Sequence, residues 1–361
     1  MTRRAVRSVV ELLLAGILSV TVLSLLLVSS GYPVSAALAA LWDGAFGSWS
    51  VIASGTLIRA TPLLFAGIAV SVAFRAGILN IGAEGQLLMG ACAATAVAVS
   101  LPVSVGAFGT VIALCAGALA GATWAALPAL LRLRFGVLEV ISTIMLNVVA
   151  LNATGLLVRG ALQEPTGTFP QSALIDTVFR LPRFLAPTRL HAGVVLAVLL
   201  AILTTWWLRA TASGFRLRMT GASVSAAESA GGINVARVTF VAFLISGALA
   251  GVGGAVEVTG VTYALYENLS PGYGYTAIAV ALLARLNPIS AIGSALLFGA
   301  LESGASAMQR DAQVPAGMVG VAEACVILVL LGSEWLGNRL ASKPSWSRGP
   351  APLVDQNVGG R

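Results

Sequence analysis

The segment from Phe74 to Gln86 reads Phe-Arg-Ala-Gly-Ile-Leu-Asn-Ile-Gly-Ala-Glu-Gly-Gln, with Asn80, Glu84 and Gln86 set among three glycines between two apolar runs. Glycine at this spacing interrupts a helix and frees backbone groups, which in lipid must face protein or a water-filled cavity. Asn80 and Glu84 lie four apart, so they share a face if the turn is helical. An ionisable side chain at such depth is costly. It marks either a polar path or a structural cap that fixes where the helix begins. Other polar residues interrupt apolar runs at Glu139, Asn147, Asn152, Glu257, Glu302 and Glu323. Buried carboxylates at membrane depth must pair, protonate or face water. Singly, each reads as interhelical hydrogen-bond glue; together they predict a path for a polar solute. The translocation-path candidates are Asn80, Glu84, Gln86, Glu139, Asn147, Glu257 and Glu302.

Catalytic chemistry has little to work with. The single histidine, His191, would have to serve any Ser-His-Asp or Cys-His arrangement, and a zincin pair needs two. It reads as a residue at headgroup level. The single lysine, Lys343, precedes a proline, so there is no Gly-Lys-Ser/Thr phosphate loop and ATP-driven work must come from a partner. Cys92, Cys115 and Cys325 sit in apolar runs without metal or disulfide spacing. The expectation is no catalytic residue, no metal and no cofactor in this chain.

The elements that position these residues follow from composition. Of 361 residues, 58% are hydrophobic and 10% charged, with mean hydropathy +0.93. Soluble domains carry about 45–50% apolar and about 25% charged residues, so a water-soluble globule is excluded, and with it a disordered chain or a disulfide scaffold. A helical span needs about 20 apolar residues. Ten apolar segments stand out, near 10–30, 57–75, 81–100, 105–131, 137–158, 191–209, 238–260, 274–285, 288–307 and 314–332. The first, preceded by Arg3, Arg4 and Arg7, mimics a leader but is long enough to span, and reads as a retained helix. The eighth is short and runs into Asn287-Pro288, which suits a broken or re-entrant helix. The stretch Phe46–Ser54 is a candidate to dip into the interface. Gly, at 40 residues, supplies packing seams. The expected fold is all-α and polytopic, with about ten transmembrane helices in a 5+5 inverted repeat. It occupies residues 1–336, and a disordered cytoplasmic tail follows at 337–361.

The net charge of +7 is almost all arginine, scattered between apolar runs, which reads as topology signal and lipid contact and not as a nucleic-acid surface. With the termini in the cytoplasm, 15 of the 21 basic residues lie inside. Arg59, Arg159, Arg180, Arg183, Arg189 and Arg310 remain outside, four of them in or at the edge of a long external loop near 159–190. Inside, the segment near 210–237 begins with basic residues, continues through a helix-forming run at Ala226–Ala230 and breaks at Gly231-Gly232. It is either a docking element for a soluble partner or an interfacial connector.

These two segments carry a family resemblance. Asn80-Ile-Gly-Ala-Glu-Gly-Gln86, followed by Leu-Leu-Met-Gly-Ala, resembles the hallmark of permease subunits of bacterial ABC importers, in the branched-chain amino acid/ribose-type superfamily and its nucleoside branch. The segment Ala227-Glu-Ser-Ala-Gly-Gly-Ile-Asn-Val235 is similar to that family's coupling loop, with an extra glycine and with Val224 where proline is common. Phe243–Gly251 and the turn at Arg285-Leu-Asn-Pro288 also fit, and the likeness spans about 55–335. The resemblance implies an ATPase-coupling loop using Gly221, Ala227, Glu228, Ala230, Gly231, Gly232, Ile233 and Asn234. It implies ATP-binding-cassette ATPase subunits, a second related permease and an extracytoplasmic lipid-anchored binding protein as partners in the cytoplasmic membrane. The expected solute is a nucleoside. The alternatives are a simple sugar such as ribose or galactose, or an ion-coupled transporter or channel without an ATPase, in which the intramembrane glutamates would be ion sites.

Overall fold

Long apolar runs free of charge can satisfy their backbone in lipid only as helices, and the chain forms little else. The computed structural model describes residues 3–229 and 232–315 and scattered positions between 317 and 332, with side chains described from Gly16 onward. Glu323, Ala230, Gly231 and the tail at 337–361 lie outside the described residues, as does part of the tenth expected span. Among the described residues, β structure is limited to isolated bridges, and seven helices are long and apolar enough to cross a bilayer.

The helices are α1 (Arg3–Ser29), α2 (Val34–Phe46), α3 (Trp49–Arg75), α4 (Ala83–Ser100), α5 (Phe108–Phe135), α6 (Glu139–Val158), α7 (Ala192–Ala210), α8 (Ala212–Ala222), α9 (Val224–Ser229), α10 (Val235–Thr262), α11 (Tyr273–Leu283) and α12 (Ala291–Asp311). Side-chain caps fix several starts. Thr211 accepts from the Gly214 amide ahead of α8, and Asn234 accepts from the Arg237 amide ahead of α10. His191, just ahead of α7, accepts from the Gly193 amide through Nδ1. The first nine expected segments each coincide with a helix, although α1 starts earlier, at Arg3, and α3 earlier, at Trp49. Helix α2 was not foreseen. In the stretch 46–54, α2 ends, Ser48 caps the next helix, and α3 begins at Trp49. Both α3 and α10 carry a π-helical turn, at Ile52–Thr56 and Val258–Thr262.

Helix α3 is apolar on all sides, and every side chain from Ala60 to Ala73 is buried, so it forms the centre of the bundle. It packs against α10, α11 and α12, and α10 packs in turn against α4 and α5. The second group meets through backbone. A methyl added at Gly121 would strike the Gly247 carbonyl, one at Gly251 the Gly117 carbonyl, and one at Gly254 the Leu87 carbonyl. Such small-residue seams replace the hydrophobic effect as the means of helix association in lipid. Helix α11 is the expected short element: 11 residues, or about 16 Å of helix against a hydrocarbon core of about 30 Å. It stops at Arg285 and Leu286, both in the left-handed region. The loop near 159–190 is tied down on the end of α10. The Ser172 amide donates to Leu265 O, Ile175 to Tyr263 O and Leu181 to Thr259 O.

Candidate functional site

The signature segment is not a helical turn. Residues 78–81 are irregular and α4 begins only at Ala83, so Asn80 and Glu84 do not share a helix face. Asn80 instead closes a buried knot. Its Nδ2 donates to Gln86 Oε1 (3.2 Å) and Ser246 Oγ (3.0 Å). Its Oδ1 accepts from the Gly82 amide (2.9 Å) and Gln86 Nε2 (3.1 Å). Ser246 Oγ donates in turn to Ala69 O, which fastens α10 to α3. From α6, Asn147 accepts from the Gly85 amide (2.9 Å) and donates to Ile81 O (2.9 Å) and Tyr275 Oη (3.2 Å). Thr143 accepts from the Ile81 amide (3.3 Å). The backbone groups that the glycines release are thus satisfied by protein. Glu84 accepts from the Gly274 amide at 2.6 Å. This sets a carboxylate against the N-terminus of α11, the end of a helix where negative charge is favoured.

A second polar region lies beside the knot. A cavity of about 500 Å³ opens between the π-helical start of α3, the π-helical end of α10 and helix α12. Its rim is exposed, with Ser50, Arg189 and Arg310; its floor is buried, with Glu257, Tyr273 and Ser303. Arg59 reaches it from the first turns of α3, with Nη1 4.0 Å from Glu302 Oε2. Ligand pockets typically run about 300–1,000 Å³, and π-bulges collect at such sites. Guanidinium and hydroxyl donors above a carboxylate can exchange the hydration of a polyhydroxylated solute for protein hydrogen bonds. Tyr273 lines this floor and its neighbour Gly274 is held by Glu84, so floor and knot meet at one peptide.

Of the expected path residues, then, Glu257 lines the cavity and Glu302 stands behind Arg59. Asn80, Gln86 and Asn147 tie the knot, and Glu84 fastens α11. Glu139 pairs with Arg132 at 2.8 Å near the α5–α6 turn, away from the cavity. Asn152 is exposed on the outer face of α6 and donates only to Val148 O. The residues missed by sequence were Arg59, Arg189, Arg310 and Tyr273, and their signal was present. The six arginines assigned outside, against the charge bias, all have built positions. Three line the cavity, Arg180 and Arg183 lie over the Tyr263 ring (4.4 and 5.4 Å), and Arg159 pairs with Glu267 at 2.7 Å.

The expected coupling segment forms two helices, α8 and α9, where one short helix was expected. Gly221 presses on the turn after α3, where a methyl would strike Arg75 O and approach the Gly77 amide. Gly77 is itself left-handed, with φ of 75°. Ala227 and Ile233 are buried and joined by the Ile233 amide to Ala227 O bond, while Glu228, Gly232 and Asn234 are exposed. The expected coupling segment thus touches the turn that leads directly into the Asn80 knot.

Known proteins match this sequence along most of its length. Residues 52–331 match the family described as branched-chain amino acid transport system / permease component. The guanosine ABC transporter permease protein NupP of Bacillus subtilis is 36% identical over 333 residues, 89% of this chain and 92% of the relative. The glucose ABC transporter permease protein TsgB13 of Haloferax volcanii is 39% identical over 289 residues, 77% of this chain and 76% of the relative. The nucleoside ABC transporter permease protein NupB of Lactococcus lactis is 30% identical over 284 residues, 76% of this chain and 78% of the relative. No solved structure matches the chain. A multi-pass helical bundle without catalytic function of its own, this chain belongs to the branched-chain amino acid transport system / permease component family.

Proposed function

We propose that the chain is the membrane permease of an ATP-driven importer and moves a nucleoside across the cytoplasmic membrane. The observation that carries this reading is a continuous line of contacts. It runs from the inner segment through Gly221 and Gly77 to the Asn80 knot, then through Glu84 and Gly274 to the cavity floor at Tyr273. Force applied at α9 by an ATPase reaches the cavity along that line. The cavity receives solute from the side of the external loop, and α11 with the knot closes it below. Shifting α11 away from Glu84 opens the inner exit, a population shift set by the nucleotide state of the ATPase. An external lipid-anchored binding protein delivers the solute, and a second, related permease completes the pathway.

The reading includes cytoplasmic termini, ten spans and an inverted repeat. The exchange of packing partners between the halves supports the repeat: α10 packs on α4 and α5 as α3 packs on α11 and α12. The guanosine and nucleoside relatives support the solute class. A sugar such as glucose is the second reading, supported by the glucose relative. A nucleoside also presents sugar hydroxyls, so the cavity suits both.

Uptake of labelled guanosine by cells expressing the complete transporter tests the reading. Expected are inhibition by vanadate of the reconstituted complex, persistence after collapse of the proton gradient, and competition by nucleosides but not by glucose. Competition by glucose alone would favour the second reading. Uphill accumulation by vesicles holding only this chain would refute both.

A further inference from the structure

A cavity of about 470 Å³ lies at the opposite end of α7 from His191, between that end, α8 and the start of α10. Its walls are of two kinds. Val238 and Val241 belong to the spanning helix α10, and Val241 is exposed. Arg216 of α8 and Arg237 of the first turn of α10 are the basic part of the lining, both exposed, and among the described residues neither has a carboxylate partner; Gly232, Ile233 and Asn234 of the expected coupling segment complete it. The Trp207 indole, bonded through Nε1 to Ser213 Oγ at 2.9 Å, also lines the cavity. Tryptophan collects at headgroup level, and basic pockets between spanning helices suit anionic headgroups. The α10 N-terminus adds its own preference for negative charge.

We infer that this cavity is a binding site for an anionic phospholipid. The phosphate sits between Arg216 and Arg237, and an acyl chain runs along Val238 and Val241. A soluble protein would leave the apolar wall unused, because that wall is the flank of a membrane span. A free phosphate would leave it empty. The bound headgroup bridges α8 to α10 across the base of the coupling segment, so it stiffens the link between α9 and the bundle.

Native mass spectrometry of the full chain in mild detergent tests the site, with titration of phosphatidylglycerol, of phosphatidylcholine with the same acyl chains, and of inorganic phosphate. Phosphatidylglycerol should occupy one high-affinity site at concentrations at least tenfold below those for phosphatidylcholine. The R216Q/R237Q double variant should lose that preference. R216K/R237K, which keeps the charge, and R209Q, outside the cavity, should retain it. Equal binding of the two lipids to the wild type would overturn the inference, as would an unchanged preference in R216Q/R237Q. Displacement of phosphatidylglycerol by millimolar inorganic phosphate would overturn the lipid assignment in favour of a free anion. Retention of lipid by R216Q/R237Q with loss of ATPase association would assign the arginines to the protein contact and overturn the inference too.

Discussion

Replacing Asn80 with Ala removes four hydrogen bonds at once, and the consequences for its partners are unequal. Ser246 keeps its bond to Ala69 O. The Gly82 amide and the Gln86 carboxamide are left buried with no substitute partner. Each buried polar group left unpaired costs about 1–3 kcal/mol, so N80A should destabilise the chain by about 2–6 kcal/mol. That is a large share of the roughly 5–15 kcal/mol that holds a typical fold together. Q86A should be milder, because Asn80 retains both Ser246 and the Gly82 amide as partners. In the double variant the stranded carboxamide of Gln86 is gone, so its loss should fall short of the sum by about 1–3 kcal/mol. N152A, at an exposed position that donates only to its own helix, should stay within about 0.5 kcal/mol of wild type. Equilibrium unfolding in mixed micelles, followed by tryptophan fluorescence, measures all four. If N80A unfolds with N152A, or if the Asn80 and Gln86 losses simply add, the knot does not hold the break between α3 and α4.

Cavity variants should separate from knot variants: E257Q and R59Q are expected to unfold near wild type yet lose most solute uptake by the complete transporter, and normal uptake in both would remove the cavity from the path. Along the glycine seam, G251A must push a methyl into the Gly117 carbonyl, whereas Gly293 has open space around it. Overpacking costs about 1–3 kcal/mol, so G251A should lower the melting temperature and G293A should not. The ring of His191 is held down to about 4 by burial first, and then by Arg189 and Arg183. An unfolded histidine titrates near about 6.5 and binds its proton first. Stability should therefore fall as pH drops from about 6.5 to about 4, by at most about 3 kcal/mol, and H191N, which can still accept from the Gly193 amide, should flatten that slope.

Hydrophobic runs made the helices legible, since in lipid an apolar segment of sufficient length has no other regular form. The short α11 was legible as well, because Pro288 ends what precedes it. Helix α2 was not, since 13 residues give no span signal; it is placed by tertiary contact, where Gly44 and Gly304 let it close on α12. The site was only half legible. Composition marked Asn80, Glu84, Gln86 and Asn147 as special, but spacing could not tell a polar path from a polar fastener. Only long-range partners such as Ser246 and Gly274 decide that. Arg59, Arg189 and Arg310 were read as topology charges, since a sequence gives the sign of a residue and not what it faces.

Where carbonyl meets α-carbon along Gly117, Gly121, Gly247 and Gly251, no flexible side chains are left to act as bearings between the helices. Sliding such a joint by one turn would bring carbonyls onto methyls, so α4, α5 and α10 are obliged to travel as a single rigid block. Any rearrangement that alternates access must then carry that block whole, with α3 tied to it by the bond from Ser246 to Ala69 O.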